Sequence, residues 1–224
     1  MARGRRSGAY GETVSSFEAL VLDWARAACA DWGYPDVGAE WLSAVAARLP
    51  QGLGSAVADA VERGVIVVVD GHRFTLAGLD AGKGPYAFFS RSNRRVPAPN
   101  WEYFVQAAEY GRVTAAVGDR GYRVDFEDDL MDVSVYDEER LVWCIEVKEK
   151  ARSLDSLLTG IRRCGRALDW NAPDRGDDAL RKAKYLARRR PPYFSLVAIG
   201  CRLDFSVSYD GDRFSLVDDL VPFG

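Results

Sequence analysis

Between residues 130 and 148 the chain reads LMDVSVYDEERLVWCIEVK, and its side chains alternate with a period of two. Met131, Val133 and Val135 point one way, and Asp132, Ser134 and Tyr136 the other. After the polar turn Asp137-Glu138-Glu139-Arg140 the alternation resumes. Leu141, Trp143, Ile145 and Val147 share one face; Val142, Cys144, Glu146 and Lys148 share its opposite. The pattern predicts a hairpin of two half-buried strands, one face apolar and one carrying chemistry. If both apolar faces pack on one core, a three- or five-residue loop centred on Glu139 sets Asp132 directly opposite Glu146. Two such carboxylates repel by about 0.2–1 kcal/mol when exposed and by more when buried. A divalent cation between them reverses the sign, and Lys148 adds an ammonium on the same face. One cation, two carboxylates and a lysine form a set that can bind a phosphate and prepare a water to attack it.

Composition sets the frame around this hairpin. At 224 residues, 48% hydrophobic and 28% charged, the chain has the make-up of an ordinary soluble globular protein. Its net charge of −3 leaves any nucleic-acid surface to local clusters. No apolar run approaches the ~20 residues of a membrane span, and residues 1–14 read as a basic tail rather than a secretory signal. Cys29, Cys144, Cys164 and Cys201 lack metal-binding spacing and suit small buried hydrophobes in a reducing cytoplasm.

Residues 15–78 read as three helices followed by a two-stranded wing. Ser15 and Ser16 cap the first helix, and Asp70-Gly71 turns the hairpin. Residues 79–99, rich in Gly and Pro, read as a linker carrying Arg94 and Arg95. Asn100 caps a helix from Trp101 to about Val117. Glu102 lies in its first turn, either as a site residue or as a solvated acid favoured by the helix dipole. Glu127, Asp128 and Asp129 crowd the turn before Asp132, as a solvated acidic turn or as a source of one more ligand. Helices follow from Ser153 to about Leu168 and over residues 174–190, then a buried strand at 193–199 and a closing hairpin. Between residues 152 and 190 basic side chains outnumber acidic ones, which makes Arg162, Arg163, Lys182 and Lys184 candidate nucleic-acid contacts. A solvated helix face is the competing reading.

Asp132 followed by Glu146-Val147-Lys148 resembles the D…(D/E)-x-K signature of the PD-(D/E)XK nuclease superfamily, with Met131 standing where the signature has proline. The resemblance covers residues 100–200 or so. It implies an α/β fold with a restriction-endonuclease-like αβββαβ core, here with one inserted helix. It implies Mg²⁺, with Mn²⁺ as a substitute, held by Asp132, Glu146 and the Val147 carbonyl, with Lys148 acting on the attacking water. It also implies a glutamate of the first core helix, Glu102, near the metal. Residues 15–78 resemble a winged-helix domain, which binds DNA or docks protein; Arg73 in the wing is its best DNA contact. The expectation is a two-domain DNA endonuclease, domains 15–78 and 100–224, with a homodimer natural for cutting both strands. The alternatives are a non-catalytic DNA-binding or assembly factor, or one subunit of a larger defence, transposition or repair machine.

Overall fold

The computed structural model describes residues 17–48, 51–78, 83–219 and 221–222. The basic tail and the caps Ser15 and Ser16 lie outside the described residues. The chain is mixed α/β. Three helices open it: α1 (Phe17–Trp32), α2 (Ala39–Ala46) and α3 (Gln51–Glu62). A hairpin follows, β1 (Ile66–Val69) and β2 (Arg73–Leu76), turned by Asp70 and Gly71 with positive φ. Three two-residue strands come next: β3 (Tyr86–Ala87), β4 (Phe89–Ser90) and β5 (Ala98–Pro99). Helix α4 (Trp101–Val117) leads into β6 (Arg123–Asp128), β7 (Met131–Asp137) and β8 (Arg140–Lys148). Helices α5 (Ala151–Arg166) and α6 (Asp178–Arg189) precede β9 (Tyr193–Ala198), β10 (Cys201–Asp210) and β11 (Arg213–Asp218).

Strands β6 to β11 form one sheet in the order β11-β10-β9-β8-β7-β6. Only β8 and β9 pair in parallel. A parallel pair needs a long crossover, and α5 and α6 supply it. One sheet face packs against α4 and the N-terminal elements, through Val133, Val135, Trp143, Ile145 and Val147. The other packs against α5 and α6, through Cys144, Phe194, Leu196, Leu154, Ile161 and Leu186. Both faces of β7 and β8 are therefore interior. The predicted half-buried hairpin with an open polar face is corrected accordingly: Ser134 and Glu146, on the polar side of the pattern, are 0% and 1% exposed.

The hairpin itself differs from expectation at its tip. Its loop is the two-residue turn Glu138-Glu139, closed by Asp137 opposite Arg140, not a loop of three or five. Tyr136 pairs with Leu141, but Val135 pairs with Trp143, so Val142 is one extra residue on β8. This bulge shifts the register by one. Beyond it Ser134 faces Cys144 and Val133 faces Ile145, which leaves Asp132 and Glu146 next along the ladder, the register the alternation predicts. The same bulge undoes the predicted facing of Leu141 and Val142. Leu141 joins Tyr136 in the α5–α6 core, and Val142 joins Trp143 in the α4 core.

Residues 86–99 are no tether. Phe88, fully buried, stacks on Trp24, Phe74 and Phe104 with ring centroids 4.9, 4.2 and 4.7 Å away. Strand β3 extends the β1–β2 sheet, and β4 pairs with β5. Helix α3 lies so close to α4 that a Cβ on Gly111 would sit 2.5 Å from the Ala60 methyl. Arg63 donates to the Gly111 carbonyl at 3.0 Å. Arg48, at the end of α2, reaches Glu149 just past β8 at 2.9 Å. A single buried cluster runs from Phe17 through Phe88 and Phe104 to Val147. The expected boundary between two independently packed domains is thus not present in the core. Phe residues on both sides of the Gly/Pro-rich stretch need the same partners. No helix among the described residues is long and apolar enough to cross a membrane.

Candidate active site

Asp132 is the second residue of β7, and Glu146 and Lys148 end β8. They open onto a pocket of about 290 Å³ bordered by Glu127, Asp178, Arg181 and Lys182. Glu102 and Gln106, one turn apart on α4, line a second pocket that also contains Glu127. Asp132 is held through its backbone neighbours. The Val147 N–H donates to Asp132 Oδ2 at 2.5 Å. Gln106 Nε2 lies 3.4 Å from Asp132 Oδ1, 3.3 Å from the Asp132 carbonyl and 2.9 Å from Glu127 Oε1. Glu127 stands across from Asp132 between the pairs Phe126–Val133 and Asp128–Met131. Its φ of 49°, unusual for a residue with a Cβ, accompanies the hydrogen bond to Gln106.

Glu146 carries two ammonium groups. Lys148 Nζ donates to its Oε1 at 2.6 Å. Lys182 Nζ, from α6, donates to its Oε2 and to the Leu130 carbonyl. Lys148 also lies 3.8 Å from Glu102 Oε1 and 3.7 Å from Asp178 Oδ2. Asp178 is the first residue of α6, and its other oxygen takes Arg181 at 2.8 Å.

The charges respond to this crowding. Burial, and then the Glu146 charge, push the Asp132 carboxyl well above the usual range, against the Val147 amide and both lysines. Burial pulls Lys148 down, but Glu146 beside it outweighs that and holds the ammonium above the ordinary lysine value. Burial raises Glu102, with Lys148 opposing. Burial would also raise Asp178, yet Arg181, Lys182 and Lys148 together hold it low.

Do these residues suit Mg²⁺? Among the described residues, no group of three or more His, Cys, Asp or Glu side chains is arranged to hold a metal. The fit instead rests on two carboxylates and a backbone carbonyl. In a strand, the N–H and C=O of one residue point toward the same neighbour, so the Val147 carbonyl faces the side on which its amide meets Asp132. These are hard oxygen donors, the type Mg²⁺ accepts alongside waters. The repulsion between Asp132 and Glu146 is the strain a cation relieves. On that chemistry the residues fit.

The residues predicted to touch nucleic acid are scattered. Lys182 is 4% exposed and belongs to the pocket, a correction to its placement on an open basic surface. Lys184 is likewise tied down, donating to the Ala172 carbonyl at 2.6 Å with Asp174 3.6 Å away. Arg162 pairs with Asp218 at 2.7 Å and lies over Phe205, while Arg163 is exposed. Arg73 pairs with Asp70. Arg95 donates to the Gly33 carbonyl at 2.7 Å, and Arg94 is exposed. Reading the sequence placed Lys182 among nucleic-acid contacts rather than in the pocket, and missed Asp178 and Gln106. For Lys182 a signal existed: it stands three and four residues before Tyr185 and Leu186, both buried, and so on the inner face of α6.

Replacing Lys182 with Met removes one ammonium from a carboxylate that is 1% exposed. Lys148 still covers the other Glu146 oxygen, so the cost stays below the about 3–5 kcal/mol of breaking a buried pair from one side. The urea midpoint of the Lys182→Met protein in metal-free buffer should fall accordingly, with the slope unchanged. Compared with family models, with curated proteins and with solved structures, the chain matches none.

Proposed function

We propose that the chain is a metal-dependent nuclease of the PD-(D/E)XK kind that hydrolyses DNA phosphodiester bonds. The observation that carries this reading is the meeting of Asp132, Glu146 and Lys148 at one pocket from neighbouring strands. The element order supports it too: α4, then β6, β7 and β8, then α5, the extra α6, and β9 follow the helix–three strands–helix–strand order of the restriction-endonuclease-like core. The N-terminal helices and β1–β2 hairpin are read as a winged-helix-like module. Its third helix faces α4, which favours a docking role over insertion of that helix in a groove.

In this reading Asp132, Glu146 and the Val147 carbonyl hold Mg²⁺, which when bound polarises the phosphoryl group and activates water. The Val147 amide fixes the Asp132 carboxylate, and Gln106 braces it from α4. Lys148 orients the water and offsets charge gathering on the phosphoryl oxygens. Lys182 neutralises the far oxygen of Glu146.

One observation favours a second reading, a non-catalytic DNA-binding or assembly factor: both Glu146 oxygens are already occupied by lysines. Incubating the protein with plasmid and linear duplex, with Mg²⁺, Mn²⁺ or chelator, decides between them. Cleavage that needs the cation and is lost in Asp132→Asn, together with a calorimetric loss of cation binding in that variant, is the expected result. DNA binding without cleavage at any cation concentration would put the second reading ahead.

A further inference from the structure

Two ammonium groups on Glu146 repel a cation arriving there, a repulsion that the departure of one lysine relieves, and the two are not equally free. Lys182 has a side chain 5% exposed, and among the described residues its other hydrogen-bond partner is the Leu130 carbonyl. Lys148 has a side chain 25% exposed and already stands within 4 Å of two further carboxylates, Glu102 and Asp178. Asp178 is the better prepared of the pair. Arg181 fixes one of its oxygens at 2.8 Å, leaving Oδ2 turned to Lys148 at 3.7 Å. The Glu102 side chain is 45% exposed, and no arginine holds it among the described residues.

We propose that Lys148 is an exchangeable internal counter-ion: when a divalent cation takes Glu146, the Lys148 ammonium passes to Asp178 while Lys182 stays. This rests on the nuclease reading of the pocket and assigns Asp178 as a positioning residue acting through Lys148. Helix α6 then supplies both halves of the exchange one turn apart, the fixed cation at Lys182 and the receiving carboxylate at Asp178. The exchange lowers the positive charge already on Glu146 by one ammonium as the cation arrives. It also leaves Lys148 beside the pocket, where a substrate phosphate would meet it.

The test is a double-mutant cycle read by Mn²⁺ affinity, from calorimetry and from the electron paramagnetic resonance of free Mn²⁺, on the full chain without DNA. Asp178→Asn should weaken Mn²⁺ binding by about 5- to 30-fold, and Asp178→Glu should restore it to within about twofold of wild type. In a Lys148→Met background, Asp178→Asn should change the affinity by less than about twofold, because the ammonium it receives is gone. Asp177 rather than Asp178 caps α6, so the Asn variant keeps its helix start. An equal loss with and without Lys148 would make Asp178 only a nearby negative charge and overturn the exchange. Wild-type affinity in Asp178→Asn would overturn it as well. A wild-type protein that binds no Mn²⁺ would overturn the nuclease reading along with it, an outcome distinct from the other two.

Discussion

On the nuclease reading, Lys148→Ala should abolish cleavage, a loss of about 10²–10⁴-fold or more, while the protein keeps its fold and binds Mg²⁺ at least as tightly as wild type. The roles divide by contact. On the nuclease reading Asp132 and Glu146 are the oxygen donors, so removing either should take metal affinity with it. Lys148 donates to Glu146 and competes with the cation for that oxygen. Its removal frees Glu146 Oε1, and Lys182 still covers Oε2, so the glutamate is not left as an orphaned buried charge. What disappears is the ammonium that would orient water and meet the developing negative charge. Single-turnover cleavage and calorimetry on the same preparation measure both halves. Cleavage at the wild-type rate would show Glu146-Val147-Lys148 to be a charge pair on a strand, and the non-catalytic reading would replace the nuclease.

A fragment beginning at Asn100 should fail to fold. The Phe104 ring lies against Phe17, Phe88 and Phe89, and the α4 backbone at Gly111 lies against Ala60. Eleven residues of α4 are buried, including Val105, Ala108 and Tyr110. Deleting residues 1–99 strips one flank of that helix. Each large apolar side chain returned to water costs about 1.5–3 kcal/mol. A handful of them reaches the 5–15 kcal/mol that holds a domain of this size together. Circular dichroism melting of the fragment should show no cooperative transition, and chymotrypsin should degrade it throughout. A sharp melt with a protease-resistant body would restore the picture of two independent domains.

What could be read from the residues alone follows a physical line. Helix α4 was legible from end to end because Asn100 precedes a long proline-free run and Gly118 follows it, although the Asn100 side chain makes no capping hydrogen bond. The approach of Asp132 to Glu146 was legible because alternation over two strands leaves few registers. Contacts between segments distant in sequence were not legible. Nothing near Phe88 announces that Trp24, Phe74 and Phe104 will close around it, so glycine and proline on either side made a packed segment look like a linker. Nothing near Lys182 names Glu146 as its partner 36 residues away; five basic side chains on α6 looked like one surface. The bulge at Val142 leaves no mark in a run of apolar residues, where either facing is equally acceptable.

That bulge has a consequence for how the hairpin tolerates changes in length. The two-residue turn at Glu138-Glu139 imposes one parity on the ladder, and the acids need the other. One unpaired residue absorbs the difference. Substitutions at the tip leave that parity alone, and so does any insertion of an even number of residues shared between the strands. Loss of the single codon for Val142 would likewise keep it, removing the unpaired residue and leaving Trp143 opposite Val135. A residue lost after the bulge, Ile145 for one, would turn Glu146 and Lys148 toward the α4 core if the bulge stayed. For this strand the count of residues matters more than the identity of most of them.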